Sequence, residues 1–427
     1  MVTLSHILGM NARDRLYASL NSSEAKRFGF SKLRGKEFFK KHTIPVAELY
    51  AVIMSHEDLR KFQWEDISGG FAIKPSNGSA GKGVMVIKKR VKGKKEWEDI
   101  EGHVLGEEDL YFHAGNILDG QYSTWGATAN VIIEERIPLH ADLEPFVQIG
   151  TPDVRVIVFN NIPVMAMVRL PTRESGGRAN LDQGAIALGI DMGTGKTMFG
   201  VSGKKKIITT FPDSHISAKD IQIPFWTDVL KLAVRAANAT GLRYMGADIF
   251  LHPEKGPMIA EVNAYPGLSI QLANRAGLRR RLQRIEGMEA RNVAHAVKIG
   301  QALFAESYPS EGELDYTMIS PKEEIEVLGE HKHSVHGIAL MNTGREWSAI
   351  ALQVAKDLGL ADQNDVLWTQ YVEGGGKEMV VEVKFKMKGE LKTANMVVSK
   401  KLDAQKYIVH LGRRDLGGYL VDVRKTV

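Results

Sequence analysis

The 427-residue chain contains no cysteine. That absence excludes disulfides, thiolate metal ligands and cysteine nucleophiles. No apolar run approaches the ~18–20 residues that span a bilayer, so membrane insertion is not expected. The first twenty residues, MVTLSHILGMNARDRLYASL, lack the apolar core of a secretory signal. A cytoplasmic setting fits this composition. A strong excess of either charge is also missing: 56 Lys+Arg against 51 Asp+Glu leave a net +5. Such mild basicity accommodates an acidic ligand without calling for nucleic acid. There is no internal repeat. Hydrophobic residues make up 44% and charged residues 25%, as in an ordinary folded protein, and the length suggests two or three domains.

Glycine is the residue present in excess, at 42, and it clusters. Residues 1–30 read as helical, with Leu16 and Leu20 spaced i,i+4, and Ser31–Lys41 as a short amphipathic helix ended by Pro45. Residues 70–75 and 84–87 read as strands around a glycine loop, and 88–128 as a charged, irregular insertion. Val131–Ile133 is a strand, and 154–159 with 164–170 form a hairpin through Asn160-Asn161. Residues 172–197 read as a long loop, 225–240 as a helix stopped by Gly241, 244–251 with 257–263 as paired strands, and 283–304 as a helix. Residues 305–322 are polar with two prolines and read as a linker. Short strands follow over 323–427.

Three clusters point to chemistry. In Lys74-Pro-Ser-Asn-Gly78-Ser79-Ala-Gly81-Lys82-Gly83, glycines let backbone N–H groups approach an anion, and a lysine entering the loop suits a polyphosphate. A flexible hairpin with solvated lysines is the alternative. Glu261 and Asn263 lie two apart on one strand and share a face. Asp248 sits on the neighbouring strand. Two carboxylates and an amide oxygen form a hard-oxygen set suited to Mg2+; a capped strand end before Tyr265-Pro266-Gly267 is the alternative. Arg155, Arg169, Arg173, Arg178 and Asn180 surround a glycine loop, and guanidinium forks match carboxylate and phosphate.

Together these residues resemble the ATP-grasp ligases, and within them the RimK-type α-L-glutamate ligases. The resemblance is carried by Ser31-Lys32-Leu33-Arg34, by Ala72-Ile73-Lys74 with its loop, and by Val131 through Ile137. It continues through Asp153-Val154-Arg155, Arg178-Ala179-Asn180-Leu181, Gly246-Ala247-Asp248 and Glu261 through Leu268. It covers about residues 24–304 and implies an α+β ATP-grasp fold, two α+β subdomains clamping ATP. By that resemblance Lys32, Lys74, Ser79, Gly81 and Gly83 contact ATP phosphates. Glu134, Glu135 and Ile137 receive the adenine edge, and Asp153 approaches the ribose. Asp248, Glu261 and Asn263 hold one or two Mg2+ ions, replaceable by Mn2+. Arg155, Arg169 and Asn180 face the acyl phosphate or amino acid, with Lys74 and Arg178 acting catalytically on the developing charge. The family's small domain before the Lys32 motif is largely missing, since only about 30 residues precede it.

The implied reaction joins a carboxylate to an amine through an acyl phosphate. L-glutamate is the expected substrate, added to a peptide, a protein or an oligo-glutamate acceptor. Residues 338–344 and 409–414 resemble the retropepsin-like domain found beside such ligases. Asn342 stands where that family carries aspartate, and an amide cannot act as the base of an aspartyl dyad. A proteolytically inactive all-β domain that binds peptide or dimerises is therefore expected, with the chain at least a dimer. A non-catalytic ATP-binding scaffold is the rival from another class, and a peptidase the more distant one.

Three further segments have milder readings. Met192-Gly193-Thr194-Gly195-Lys196-Thr197 imitates a phosphate loop, but Ile190 occupies the required glycine position. The basic run from Asn274 to Arg284 lacks interleaved aromatics for nucleic acid, and reads as a solvated helix face or a docking site for an acidic product. His331, His333 and His336 are taken as solvated rather than zinc ligands.

Overall fold

Residues 71–75 and 131–135 alternate in character, and a strand sends successive side chains to opposite faces. In the computed structural model, which describes all residues except 1–3, 30–31, 78–80, 124–126, 204–205, 213, 306–316, 330–332, 363, 372–375 and 426–427, this alternation sets up the first lobe. Strands β1 (Leu49–Ile53), β2 (Phe71–Pro75), β3 (Met85–Arg90), β4 (Glu96–Asp99), β5 (Val104–Gly106) and β6 (Val131–Glu135) form an antiparallel sheet ordered β1-β6-β2-β3-β4-β5. Phe71, Ile73, Val131 and Ile133 point into a core with Trp64, Trp97, Leu110 and Ile117. Lys74 and Glu134, on the alternate positions, are left for the other face.

The 88–128 segment corrects the sequence reading. It is not irregular: it supplies β4, β5 and the helix Glu107–Leu118. Trp97, Leu110, Ala114 and Ile117 from it are fully buried. The charged residues that disguised it belong to short strands with only one buried position per turn of the pattern.

The second lobe is a seven-stranded antiparallel sheet, β7 (Asp153–Phe159), β8 (Ile162–Leu170), β9 (Ile186–Ile190), β10 (Thr197–Ser202), β11 (Lys206–Ile208), β12 (Tyr244–His252) and β13 (Gly256–Asn263). Its order is β11-β10-β9-β8-β7-β12-β13. Asn160 and Asn161 adopt positive φ of 46° and 62° in the tight β7–β8 turn, a conformation asparagine tolerates. The helices Trp226–Thr240 and Val293–Phe304 pack against this sheet; the first ends at Gly241 with φ +69°.

Several expected boundaries move. Residues 186–190 form the buried strand β9 inside the segment read as loop. The 283–304 helix is two helices, Leu278–Arg284 and Val293–Phe304. At the N-terminus short helical turns replace one long helix. Leu16 and Leu20 are exposed, whereas Leu8, Tyr17 and Ala18 are buried. Asn21 ties this segment down: its amide donates to the Tyr244 carbonyl (2.7 Å) and accepts from the Tyr244 N–H (3.0 Å). The basic run is not merely solvated, since Arg275 lies 4.9 Å over the Phe199 ring and Arg281 5.3 Å over Phe304.

The chain divides into two compact units, Met1–Phe304 and Ala305–Val427. Most of the expected linker, 306–316, lies outside the described residues; Thr317–Ile319 already forms β14 of the second unit, paired with β22 (Tyr419–Val421). Strands β15 (Lys322–Leu328), β16 (Ser334–Met341), β17 (Ser348–Ala351), β18 (Val366–Tyr371), β19 (Lys377–Met387), β20 (Glu390–Ser399) and β21 (Val409–Leu411) run in the order β15-β16-β21-β17-β20-β19-β18. An extra β15–β19 pairing closes six of them into a barrel. Val327, Val381, Val383, Phe385, Met396 and Leu411 fill its interior.

Candidate active site

The polar face of the second sheet is laid out by strand register. Arg169 on β8 opposes Asp153 on β7; Arg155 on β7 opposes Asp248 on β12; Asp248 opposes Glu261 on β13. Asn263 follows two residues after Glu261. Alternation therefore places all six on one face of an otherwise apolar sheet. Above them stand β2 and β6 of the first lobe and the helix Lys32–Lys41.

These faces enclose one cleft of about 530 Å³. Its lining includes Lys32, Lys74, Gly81, Glu134, Glu135 and Ile137 from the first lobe and hinge, and Asp153, Arg155, Arg169, Arg178 and Asn180 from the second. Asp248, Glu261 and Asn263 complete it. Gly83 does not line it. A Cβ there would meet the Tyr122 ring at 2.5 Å, and φ is +71°, so this glycine serves the packing of Tyr122 rather than a ligand. His113 Nε2 lies 3.0 Å from the Gly83 carbonyl and latches the same turn. Ser79 lies outside the described residues.

Electrostatics organise the cleft around three buried carboxylates, Glu134, Asp153 and Asp248. Glu134 is buried and pairs with both Lys36 and Lys74. Burial pushes its carboxyl up, but the two ammonium groups outweigh burial and hold it below the usual glutamate range. The Glu134 side chain is thus taken up by its two lysines, although the residue lines the cleft. Lys32 is pulled below the ordinary lysine value by burial and by Lys74, with Glu261 and Glu134 opposing. Lys36 is lowered by burial as well. Lys36 and Lys74 therefore share one carboxylate, while Lys32 feels Glu261 more than Glu134.

On the floor, Arg155 holds Asp248 bidentately (2.7 and 2.6 Å), and Arg169 adds a third bond at 2.8 Å. Burial would raise the Asp248 carboxyl; the two guanidiniums keep it well below the usual range. Arg169 also grips Asp153 at 2.6 and 2.5 Å. Burial pushes Asp153 up to about 6, aided by the facing Asp248 charge and opposed by Arg169. Both Asp153 oxygens are thus taken by a guanidinium. Arg155 and Arg169 are consequently partners of the floor carboxylates.

A divalent ion can be tested against this donor set. Asp248 Oδ2 already accepts two hydrogen bonds and Oδ1 one, which leaves one acceptor position on Oδ1. Among the described residues Glu261 and Asn263 have no side-chain hydrogen bond or ion pair, and both line the cleft. No group of three or more His, Asp or Glu able to hold a metal occurs among the described residues, so the set needs the Asn263 amide. Its hard oxygens fit Mg2+ or Mn2+.

Sequence reasoning missed Lys36. The signal was available: it lies four residues after Lys32, on the same helical face. Glu135 differs in another way. Its carboxylate reaches Lys255 (2.5 Å) and the Glu48 N–H (3.1 Å) at the hinge between lobes.

Two sheets closing on a cleft, with lysines on the upper wall and a carboxylate–amide set on the floor, define an ATP-grasp fold. Residues 11–287 match the sequence model of the family described as sugar-transfer associated ATP-grasp, and the chain belongs to that family. Among curated proteins it is similar to the probable alpha-L-glutamate ligases of Aliivibrio salmonicida (strain LFI1238), 27% identical over 252 residues, and Pseudoalteromonas translucida (strain TAC 125), 26% identical. Each alignment covers 56% of this chain and 65% of the relative, so the chain spans just under two thirds of their length. Among solved structures it is similar to the ATP-grasp ligase PsnB complexed with minimal precursor (16% identity, 61% of this chain and 59% of that one, TM-score 0.33). D-alanine–D-alanine ligase from Bacillus anthracis complexed with ATP is another (12%, 65% and 67%, TM-score 0.34). Among the described residues no helix is long and apolar enough to cross a membrane.

Proposed function

We propose that residues 1–304 form an ATP- and Mg2+-dependent carboxylate–amine ligase, with Mn2+ able to replace Mg2+. One observation carries this reading: Lys36 and Lys74 pair with the buried Glu134, and Lys32 stands beside them facing Glu261, in the cleft that also holds Asn263. Glu134 and Glu261 offset two of the three lysine charges, and the surplus suits a polyphosphate. Asp248, Glu261 and Asn263 would hold the divalent ion. When bound, the ion offsets charge on the phosphate oxygens.

The chain's own residues do the rest by positioning and charge neutralisation. A substrate carboxylate oxygen forms a bond to the γ-phosphorus while the bond to ADP breaks, giving an acyl phosphate. An amine then bonds the acyl carbon, inorganic phosphate leaves, and the amine loses its proton. Lys74 and Arg178, which line one cleft, would offset negative charge on the transferring group. Asn180 would contact the amino acid, and Arg155 and Arg169 would keep the floor carboxylates ionised. The similarity to probable glutamate ligases supports L-glutamate as a substrate, with a peptide or amino-acid acceptor.

For Ala305–Val427 we infer a retropepsin-like domain without proteolytic activity. The closed six-strand barrel supports this, and at Asn342 the side-chain oxygen accepts from the Gly344 N–H (3.2 Å), a turn made with an amide and no ionisable group. Pairing of two such domains would make the protein a dimer, which light scattering tests. The ligase reading is tested by ADP release with each common amino acid, followed by mass spectrometry of the product. Glu261→Ala should abolish turnover with unchanged circular dichroism. ATP binding without stimulation by any amino acid would instead support the scaffold reading.

A further inference from the structure

Behind the nucleotide cleft lies a second cavity of about 410 Å³, lined by Lys88, Ile100, Arg136, Gln148, Gly150 and Arg173 among others. Ile100, Arg136 and Gly150 line both cavities. The partition is the loop 172–178. It is a rigid turn: Thr172 N–H donates to Ser175 Oγ (2.9 Å), Ser175 N–H to Thr172 Oγ1 (3.1 Å), and Gly177 N–H to the Thr172 carbonyl (3.1 Å). A Cβ on Gly150 would fall 2.3 Å from the Gly177 carbonyl oxygen, so the two backbones meet with no side chain between them. This one loop presents Arg178 to the nucleotide cleft and Arg173 to the second cavity.

The lining of the second cavity carries more cations than anions: Lys88, Arg136 and Arg173 stand against Glu101. Neither Arg136 nor Arg173 makes a side-chain hydrogen bond or ion pair among the described residues. Arg136 Nε is buried and unpartnered, an arrangement that costs free energy unless an acceptor arrives. Glu101, in the lining itself, lies 3.9 Å from His103, which also lines the cavity; outside it Glu98 pairs with Lys88 and Lys89, and the Glu174 side chain packs against Gly184. The Arg173 N–H donates to Gln148 Oε1 (3.1 Å), which anchors the backbone from which its guanidinium projects.

We propose that this cavity is a subsite for an oxyanion group, carboxylate or phosphate, carried by the acceptor one position away from its reacting end. The subsite rests on the ligase reading above, because it extends the acceptor path past the loop that carries Arg178. Arg136 and Arg173 bind the oxyanion from two sides. An acidic acceptor is selected over a neutral one of equal length, and the selection is made by residues outside the reacting centre.

The test is calorimetric binding to the full-length protein with Mg2+ and ADP present. Three probes are compared: L-glutamyl-L-glutamate, L-alanyl-O-phospho-L-serine and L-alanyl-L-alanine. The wild-type protein should bind either acidic dipeptide at least about tenfold more tightly than the neutral one, the worth of one charge-assisted hydrogen bond. Whichever acidic probe binds better names the source of the oxyanion. Arg173→Gln should erase that preference and leave ADP affinity unchanged, and Arg173→Lys should restore part of it. Equal binding of acidic and neutral dipeptides by the wild type, or a preference that survives both Arg173→Gln and Arg136→Gln, overturns the proposal. ADP formation from ATP is read in parallel. A protein that discriminates the dipeptides but forms no ADP with any of them retains the subsite and loses the ligase reading.

Discussion

Glu134→Gln isolates the charge balance of the upper wall. The substitution keeps the shape of the side chain and removes its charge. Lys36 and Lys74 then face each other and Lys32 across a buried space without their paired carboxylate, with only the more distant Glu261 and Glu135 to oppose them. Removing one partner of a buried ion pair costs about 3–5 kcal/mol; the amide oxygen still accepts one hydrogen bond, which places the expected loss near about 3 kcal/mol. That loss belongs to the first lobe. Amide hydrogen exchange read at β2 and β6 should therefore accelerate by about two orders of magnitude. The pH dependence has a definite sign. The Glu134 carboxyl is held low in the folded protein, so its stabilisation is complete above the ordinary glutamate value of about 4.3 and fades as pH falls through the depressed folded value. The gap between wild type and variant should be flat from about pH 8 to pH 5 and narrow below that. Inorganic tripolyphosphate should stabilise the variant more than the wild type, because it supplies the missing negative charge. Exchange at wild-type rates in the variant, or a gap that widens on acidification, would refute the reasoning.

Three other outcomes follow. Trp97→Ala, at a fully buried site in the 88–128 segment, should lower stability by about 3–5 kcal/mol, and a denaturant midpoint equal to wild type would return that segment to the status of a dispensable insertion. Gly83→Ala meets both a positive φ and the Tyr122 ring; unfolding should come at least about 1 kcal/mol easier, read from the shift in denaturant midpoint. Polyphosphate binding should be accompanied by proton uptake at alkaline pH. Burial lowers Lys32 and Lys36 below the ordinary lysine value, and an arriving anion raises them again. Calorimetry in buffers of different ionisation enthalpy measures the uptake, and zero uptake between the depressed and ordinary values contradicts it.

The floor of the cleft was legible because strand register and alternation are written in sequence. Asp248, Glu261 and Asn263 could be placed together from two strands of clear pattern, and the β12–β13 pairing opposes the first two directly. What could not be read was which charges would pair. Arg155 and Arg169 stood out as ligand-facing groups, yet they clamp Asp248 and Asp153. Pairing depends on side-chain reach across three strands, and periodicity carries no such information. Lys36 was overlooked for a simpler reason, since lysines on an exposed-looking helix are ordinary. The strands at 96–99 and 104–106 escaped notice because each is short and charged, and Trp97 alone marks the core.

Closure of the β15–β19 seam restricts how the second unit can be read by another chain. At 326–328 β15 already shares its backbone groups with both β16 and β19, so a visiting peptide gains no main-chain partners along that stretch of the wall. Among the described strands the open edges include residues 322–325 of β15 on its β19 side, Val366–Tyr371 and the two-strand ribbon of β14 and β22. Recognition by added-strand pairing falls to such open edges, and along the closed seam a partner has to be selected through side chains alone.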